Sequence, residues 1–169
     1  DGDGKADLAV ANSGAASNTV SVLRNTSAAG SIVAGSFAAK VDFATGTQPI
    51  GVAIGDVTGD GKPDLAVANR NSATVSLLRN IATSGSITSG SFDIKQDFST
   101  NSILLAVALG DLDGDAKPDL VAANNNAATI SVFRNANVVY AFTGSGNWNN
   151  PLNWPGNVVP GPILGDYVD

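Results

Sequence analysis

The sequence predicts an all-β fold made of tandem repeats, each folding into four short strands like one blade of a β-propeller. The Arg-Asn pairs Arg24-Asn25, Arg79-Asn80 and Arg134-Asn135 recur at steps of 55 residues. Three similar acidic stretches precede them: DGDGKADLAVAN from residue 1, DVTGDGKPDLAVAN from residue 56 and DLDGDAKPDLVAAN from residue 111. Gly, Ser, Thr and Asn are dense throughout and disfavour helix. A repeat of this length with turn signals between short apolar runs is typical of stacked β units.

The sequence of the second repeat predicts four strands, taken here in chain order. Residues 50–56 (IGVAIGD) form a strand of small apolar residues, which suits the crowded inner position of a blade. LAVAN at 65–69 follows the acidic loop as a second strand, and TVSLLRN at 74–80 is a third. After a Gly/Ser/Thr-rich loop, SFDIKQDF at 91–98 is predicted as the fourth.

The predicted repeats span residues 1–36, 37–91 and 92–136. The composition then changes, because residues 137–169 hold Trp148, Trp154 and four of the seven prolines. This tail is interpreted as a linker or as the start of a second β module. The chain lacks Met and starts within an acidic loop, so we expect it to be a window on a longer protein.

Composition and charge exclude several functions. The net charge of −6 argues against nucleic acid or anionic membrane as a partner. No apolar run approaches the roughly 20 residues of a membrane helix, so membrane insertion is not expected. Cys, His and Glu are all absent, which removes disulfides, thiolate metal sites and the usual general bases. We therefore expect no catalytic residues, no organic cofactor and no enzyme activity in this segment.

The acidic loops carry the chemistry instead. All 15 acidic residues of the chain are Asp, and ten of them lie in the three loops. When Asp56 is counted as place one, oxygen donors fall at alternate places one, three, five, seven and nine: Asp56, Thr58, Asp60, the Lys62 carbonyl and Asp64. Such donors on a tightly curled loop converge on a hard cation, and a flexible oxygen cage suits Ca²⁺ better than Mg²⁺. Gly61 at place six permits the sharp turn through positive φ.

An EF-hand shares the first seven places but needs a bidentate acid at place twelve on a following helix. Here place twelve is Val10, Val67 or Ala122, each within a predicted strand. The EF-hand alternative is therefore excluded.

The stretches DVTGDGKPDLAVAN…TVSLLRN and DLDGDAKPDLVAAN…TISVFRN resemble FG-GAP/VCBS repeats, the calcium-loop blades of integrin-type β-propellers. The resemblance covers about residues 1–135 and implies up to three Ca²⁺ ions. It places the ligands of the second site at Asp56, Thr58, Asp60, Lys62 (carbonyl) and Asp64, those of the third at Asp111, Asp113, Asp115, Lys117 (carbonyl) and Asp119, and those of the first at Asp1, Asp3, Lys5 (carbonyl) and Asp7. Thr58 departs from the pattern by replacing an acid, and Ala116 by replacing the usual Gly.

The resulting functional expectation is a calcium-stabilised repeat segment of a secreted or cell-surface bacterial protein, acting in adhesion or protein–protein contact. Two alternatives stay open: a subunit of an extracellular fibre, joined through strands such as NVVYAF (137–142), and a non-catalytic carrier domain of a secreted enzyme. The expected partners are other blades, copies of the chain, another surface protein or a glycan. The recurring arginines are expected to pair with carboxylates of a neighbouring blade, with Asp42 and Asp97 as candidates.

Overall fold

The computed structural model describes residues 1–14, 17–100, 102–126 and 128–136, together with the backbone of the strand Tyr167–Val168. All regular elements in this part of the chain are β-strands: β1 (Leu8–Asn12), β2 (Thr19–Leu23), β3 (Val41–Ala44), β4 (Pro49–Gly55), β5 (Asp64–Asn69), β6 (Thr74–Leu78), β7 (Gln96–Ser99), β8 (Leu104–Gly110), β9 (Asp119–Asn124), β10 (Thr129–Phe133) and β11 (Tyr167–Val168). Within the described ranges, no helix is long and apolar enough to cross a membrane.

The strands form three antiparallel sheets, ordered β1-β2-β3, β4-β5-β6-β7 and β8-β9-β10-β11. The predicted all-β fold of repeated, four-stranded blades is confirmed, with three strands in the first sheet. The fourth strand of the third sheet is β11, which pairs with Val132 and Phe133 of β10. Apart from this strand, the predicted module at 137–169, with Trp148, Trp154 and the segment NVVYAF, lies outside the described residues.

The sheets are offset from the predicted repeat bounds. The last strand of the first sheet, β3, follows the bound at residue 36, and β7 follows the bound at residue 91. The predicted fourth strand at 91–98 is also too long. Phe92 forms only an isolated bridge with Asn80, and regular pairing starts at Gln96. Between them the N–H of Ile94 is taken by the side chain of Asp93 at 2.8 Å, and Ile94 is 92% exposed, so neither ladder bonds nor burial hold a strand there.

The sheets pack face to face in chain order, and the second sheet is buried on both sides. One apolar cluster joins the first and second sheets and includes Val20, Val22, Phe43, Leu65, Val67 and Leu78. The other joins the second and third and includes Val57, Ala66, Ala68, Val75, Leu77, Leu104, Leu120, Ala122 and Phe133. Alternate residues of β5 therefore enter opposite clusters, as the two-residue period of a strand requires. This explains why every residue of β5 is buried.

Each junction between sheets also holds one edge-to-face aromatic pair. The ring centroids of Phe43 and Phe92 lie 4.8 Å apart, and those of Phe98 and Phe133 lie 5.5 Å apart. The inner strands β4 and β8 approach closely, since a Cβ atom added to Gly55 would lie 3.1 Å from the side chain of Leu109. The close approach of Leu109 thus favours a glycine at position 55 of the inner strand.

A polar chain of side chains recurs in the sheets, on the strands that follow the acidic loops. In the second sheet the Asn69 amide donates to Ser76 Oγ at 2.8 Å, and Ser76 donates to Asp97 at 2.6 Å. Asn12 and Ser21 repeat the first step in the first sheet, at 2.8 Å. Asn69 and Ser76 are fully buried, and these hydrogen bonds satisfy Asn69 Nδ2 and the Ser76 hydroxyl, whereas Asn69 Oδ1 has no hydrogen-bond partner among the described residues.

A substitution at Gly46 would test how closely the backbone packs against this chain of polar side chains. A Cβ atom at Gly46 would lie 2.4 Å from Ser72 Oγ and 2.7 Å from Asn69 Cγ. We expect Gly46→Ala to lower the free energy of unfolding by roughly 1–3 kcal/mol, because the added methyl displaces the buried amide. Gly51→Ala is the matched control, since nothing lies within 4 Å of its Cβ position. Chemical denaturation of both variants measures the difference; equal stabilities would contradict the described packing.

Candidate metal sites

The second and third acidic loops each join the first strand of a sheet to its second strand, and the first acidic loop precedes β1. Residues 56–63 connect β4 to β5, residues 111–118 connect β8 to β9, and residues 1–7 lead into β1. Place six has positive φ in all three loops, at Gly4 (85°), Gly61 (81°) and Ala116 (65°). The predicted sharp turn at Gly61 is therefore confirmed, and Ala116 adopts the same backbone conformation despite its side chain.

The aspartate at place one lies at the centre of the curl. Asp56 Oδ1 accepts the N–H of Gly59 at 2.7 Å, and Asp56 Oδ2 accepts that of Gly61 at 2.8 Å. Asp111 repeats both bonds, with Gly114 at 2.8 Å and Ala116 at 3.0 Å. The carboxylate thus holds the loop closed through main-chain donors, as an Asx-type turn does.

The aspartate at place nine ties the loop to the body of the sheet. Asp64 is fully buried; its Oδ2 accepts the N–H groups of Val57 and Thr58 at 3.0 and 3.1 Å, and its Oδ1 accepts that of Asn80 at 2.8 Å. Asp119 accepts the corresponding N–H of Asn135 at 2.8 Å. Asp7 accepts that of Asn25, also at 2.8 Å.

The third loop brings its acidic side chains closest together. Asp111, Asp113 and Asp115 each offer a carboxylate oxygen, and these oxygens lie within 4.8 Å of one another. Among the described residues, the carboxylates of the other two loops do not form such a group. Asp119 stands outside the group of three, held by its main-chain donors.

In the first two loops, the residue at place three has a buried side-chain oxygen that accepts no hydrogen bond from the described part of the chain. Thr58 Oγ1 and Asp1 Oδ2 are buried and accept no hydrogen bond among the described residues, although Arg24 Nε lies 3.9 Å from Asp1 Oδ2. A buried oxygen without a donor is costly unless something binds it. The same loops keep their lysine ammonium groups away from these oxygens, since Lys62 Nζ donates to the Ala82 carbonyl and Lys5 Nζ to that of Ser27. The donor set, made only of oxygens, fits a hard divalent cation.

A family model described as an FG-GAP-like repeat matches residues 1–67 and 56–122. The chain belongs to the FG-GAP-like repeat family. Repeats of this family generally form non-catalytic domains and typically occur in extracellular proteins. No curated protein and no solved structure matches the chain significantly.

The arginines of the FG-GAP repeats do not pair as expected. Arg24 Nη1 donates to the Gly85 carbonyl at 2.7 Å, and its Nε lies 3.9 Å from Asp1 of its own loop. Asp42 and Asp97 instead form ion pairs with Lys40 and Lys95, two residues before each of them. Arg79 Nη2 donates to Asp60 at 3.3 Å, and Arg134 pairs with Asp113, so both arginines lie against the acidic loop of their own repeat. The prediction was wrong because Arg79 and Arg134 directly follow the third strand of their sheets, where they lie next to the acidic loop of the same repeat.

These pairs shape the ionisation of the loops. The hydrogen bond from Arg134 is the main cause that lowers the pKa of Asp113 below its ordinary value. The pKa of Asp60 is lowered chiefly by the N–H of Lys62, with Arg79 adding to the effect. Burial raises the pKa of Asp64, although three main-chain donors oppose the shift. The exposed carboxylates Asp60 and Asp113 thus stay ionised at neutral pH, as metal ligands must.

The asparagine of each Arg-Asn pair was missed as a site residue. Its main-chain N–H bonds the place-nine aspartate, and its side chain bonds the loop carbonyl before that aspartate, as in Asn80 Nδ2 to Pro63 at 3.0 Å. Asn135 additionally donates to the Val57 carbonyl of the preceding repeat at 2.8 Å. The sequence feature that could have indicated this role is the recurrence of the asparagine directly after the arginine in every repeat.

The positive φ at Ala116 and Gly61 allows two opposite substitutions to test backbone strain in the loops. Ala116→Gly should raise the free energy of unfolding by about 1 kcal/mol, because glycine adopts this conformation without a Cβ clash. Gly61→Ala should lower it by about 1–2 kcal/mol for the opposite reason. Both are measured by denaturation in chelator, so that metal binding does not contribute. A destabilised Ala116→Gly variant would argue against strain at this place.

Proposed function

We propose that this FG-GAP repeat segment binds Ca²⁺ in its acidic loops and presents a rigid surface for adhesion or protein–protein contact on a secreted or cell-surface bacterial protein. The observation that carries the proposal is the convergence of Asp111, Asp113 and Asp115 within 4.8 Å on one curled loop. Ca²⁺ takes six to eight oxygens, and this loop offers four carboxylates and the Lys117 carbonyl.

In the second loop the ligands would be Asp56, Thr58, Asp60 and the Lys62 carbonyl, with Asp64 contributing through Oδ1. The orphaned Thr58 Oγ1 supports this assignment, because a cation would satisfy it. In the first loop Asp1, Asp3, the Lys5 carbonyl and Asp7 would take part. Three bound ions would neutralise the formal net charge of −6.

The mechanism is structural. The loop carboxylates repel one another, and Arg79 and Arg134 offset part of that repulsion from the exposed side of the loop. A bound cation would offset the rest and fix the loop against the place-nine aspartate. Asn135 of the third repeat donates to the Val57 carbonyl of the second loop. A cation that rigidifies the second loop would therefore also restrain the adjacent third repeat.

Calcium should therefore stabilise the fold. A ligand that binds only the native state adds RT ln(1 + [L]/Kd), which is a few kcal/mol at a large excess over Kd. We expect thermal melts of the full chain in millimolar Ca²⁺ and in excess chelator to differ by many degrees. Mg²⁺ at the same concentration controls for ionic strength. Superimposable melts in Ca²⁺ and chelator would exclude the proposed sites.

Exchanging place three between two loops tests the order of affinities. The third loop has an aspartate there and the second has Thr58, so we expect the third site to bind more tightly, since affinity follows ligand charge. Asp113→Thr should weaken the tighter step in a calorimetric Ca²⁺ titration, and Thr58→Asp should strengthen the weaker one. Ile94→Thr, at a side chain that is 92% exposed, is the control. If Thr58→Asp weakens binding, then charge does not set the order.

A further inference from the structure

Arg79 and Arg134 lie against carboxylates that are proposed to bind metal. Each arginine directly follows the third strand of its sheet and reaches back to the acidic loop of its own repeat. Arg134 Nε pairs with Asp113 Oδ2, and Arg79 Nη2 donates to Asp60 Oδ2 at 3.3 Å. The second and third loops therefore already hold a positive charge at oxygen atoms that a metal ion would use.

In the third loop, the arginine contacts the carboxylate oxygens that the main chain leaves free. Asp113 Oδ1 accepts the N–H of Asp115 at 3.2 Å, and Asp115 Oδ1 accepts that of Lys117 at 3.0 Å. The Oδ2 atoms face Arg134 instead, since its Nε bonds Asp113 Oδ2 and its Nη2 lies 3.8 Å from Asp115 Oδ2. Lys117 Nζ lies 3.8 Å from the same oxygen of Asp115. Two of the converging carboxylates are thus in contact with side-chain cations.

The second loop shows the same arrangement with fewer contacts. Asp60 Oδ1 accepts the N–H of Lys62 at 3.0 Å, and Arg79 bonds Asp60 Oδ2. The ammonium group of Lys62 donates to the Ala82 carbonyl and not to a carboxylate of the loop. In this loop one carboxylate contacts one side-chain cation, so the effect of the arginine on metal binding should be smaller than in the third loop.

A divalent cation and a guanidinium group compete for these oxygens. Two cations at one carboxylate repel each other, and a partly exposed loop screens that repulsion less than bulk water does. Both arginine side chains are about half exposed, so each can turn into solvent without leaving a buried charge. The free energy that the arginine contributes to the empty loop is lost when metal takes its place, and the affinity for metal falls accordingly.

We propose, on the basis of the calcium binding proposed above, that Arg79 and Arg134 are internal counter-cations of the metal-free loops. They occupy the Oδ2 atoms of Asp60, Asp113 and Asp115 and release them when a divalent cation binds. Each arginine holds the empty loop in the conformation that the cation needs and at the same time raises the cation concentration at which the loop fills. The arginines thus regulate the sites from outside the set of metal ligands.

The test is a Ca²⁺ titration of the full chain followed by NMR, because the amide signals of Gly61 and Ala116 report the second and third loops separately. Arg134→Gln should lower the dissociation constant at Ala116 by roughly three- to tenfold, since it frees two ligand oxygens. The constant at Gly61 should stay within about twofold in this variant. Arg79→Gln should do the reverse, with a gain of roughly two- to fourfold at Gly61, because Arg79 contacts one ligand carboxylate.

Arg70→Gln is the control for net charge. It removes the same charge from the turn between β5 and β6, at the opposite end of β5 from the second acidic loop. Both dissociation constants should stay within about twofold of those of the unsubstituted chain, because a charge at that distance is screened by salt.

Two further measurements follow the arginine itself and the stability of the empty loop. The chain has four arginines, and the Nε–H signal of Arg134 is identified by its loss in Arg134→Gln. Saturation with Ca²⁺ should move this signal to the position of a solvent-exposed guanidinium. Arg134→Gln should melt below the unsubstituted chain in excess chelator, where repulsion between carboxylates is unopposed, and at the same temperature or above it in saturating Ca²⁺.

Three results would overturn the proposal: unchanged or weaker binding at Ala116 in Arg134→Gln, an Arg134 Nε–H signal that Ca²⁺ does not move, and an equal loss of melting temperature in chelator and in Ca²⁺. The last result would assign the arginine a purely structural role. A different outcome separates the failure of calcium binding itself. If neither Gly61 nor Ala116 responds to Ca²⁺ in the unsubstituted chain or in either variant, the proposed metal sites are refuted, and the role of the arginines is refuted with them.

Discussion

The buried carboxylate at place nine is the interaction on which the rest of each repeat depends. Asp64 accepts two N–H groups from the start of its own loop and one from Asn80, two residues after the end of β6. A charged acceptor with three main-chain donors is strong, and removing it would leave three buried donors without partners. The loop conformation, the position of the exposed loop carboxylates and the end of the third strand are thus set together by one side chain.

The same bond explains how a local loop influences a neighbouring sheet. The asparagine that binds the place-nine aspartate through its main chain uses its side chain to hold loop carbonyls, and in Asn135 one of these belongs to the preceding repeat. Adjacent repeats are therefore joined by a polar contact beside the apolar cluster that contains Val57. Because the apolar contact is non-directional, the hydrogen bonds define how the sheets align.

The repeat period, the all-β class and the positive φ at Gly61 and Ala116 were predictable from sequence, since each rests on local chemistry that recurs in register. The extent of the fourth strand was not, because the apolar run around Ile94 looks like a strand until the Asp93 side chain takes its N–H. The partners of Arg79 and Arg134 were also missed. Ion pairs depend on where strand ends lie in space, and sequence spacing does not give that position.

Every residue of β5 is buried. A repeat of this kind would therefore expose apolar side chains to water if it were separated from its neighbours. A gene duplication that copies one whole period reproduces both of its contact faces at once, whereas a partial copy leaves one of them uncovered. The connection between β1 and β2 is two residues longer than its counterpart between β5 and β6, so the family tolerates a change of length at that point of the unit.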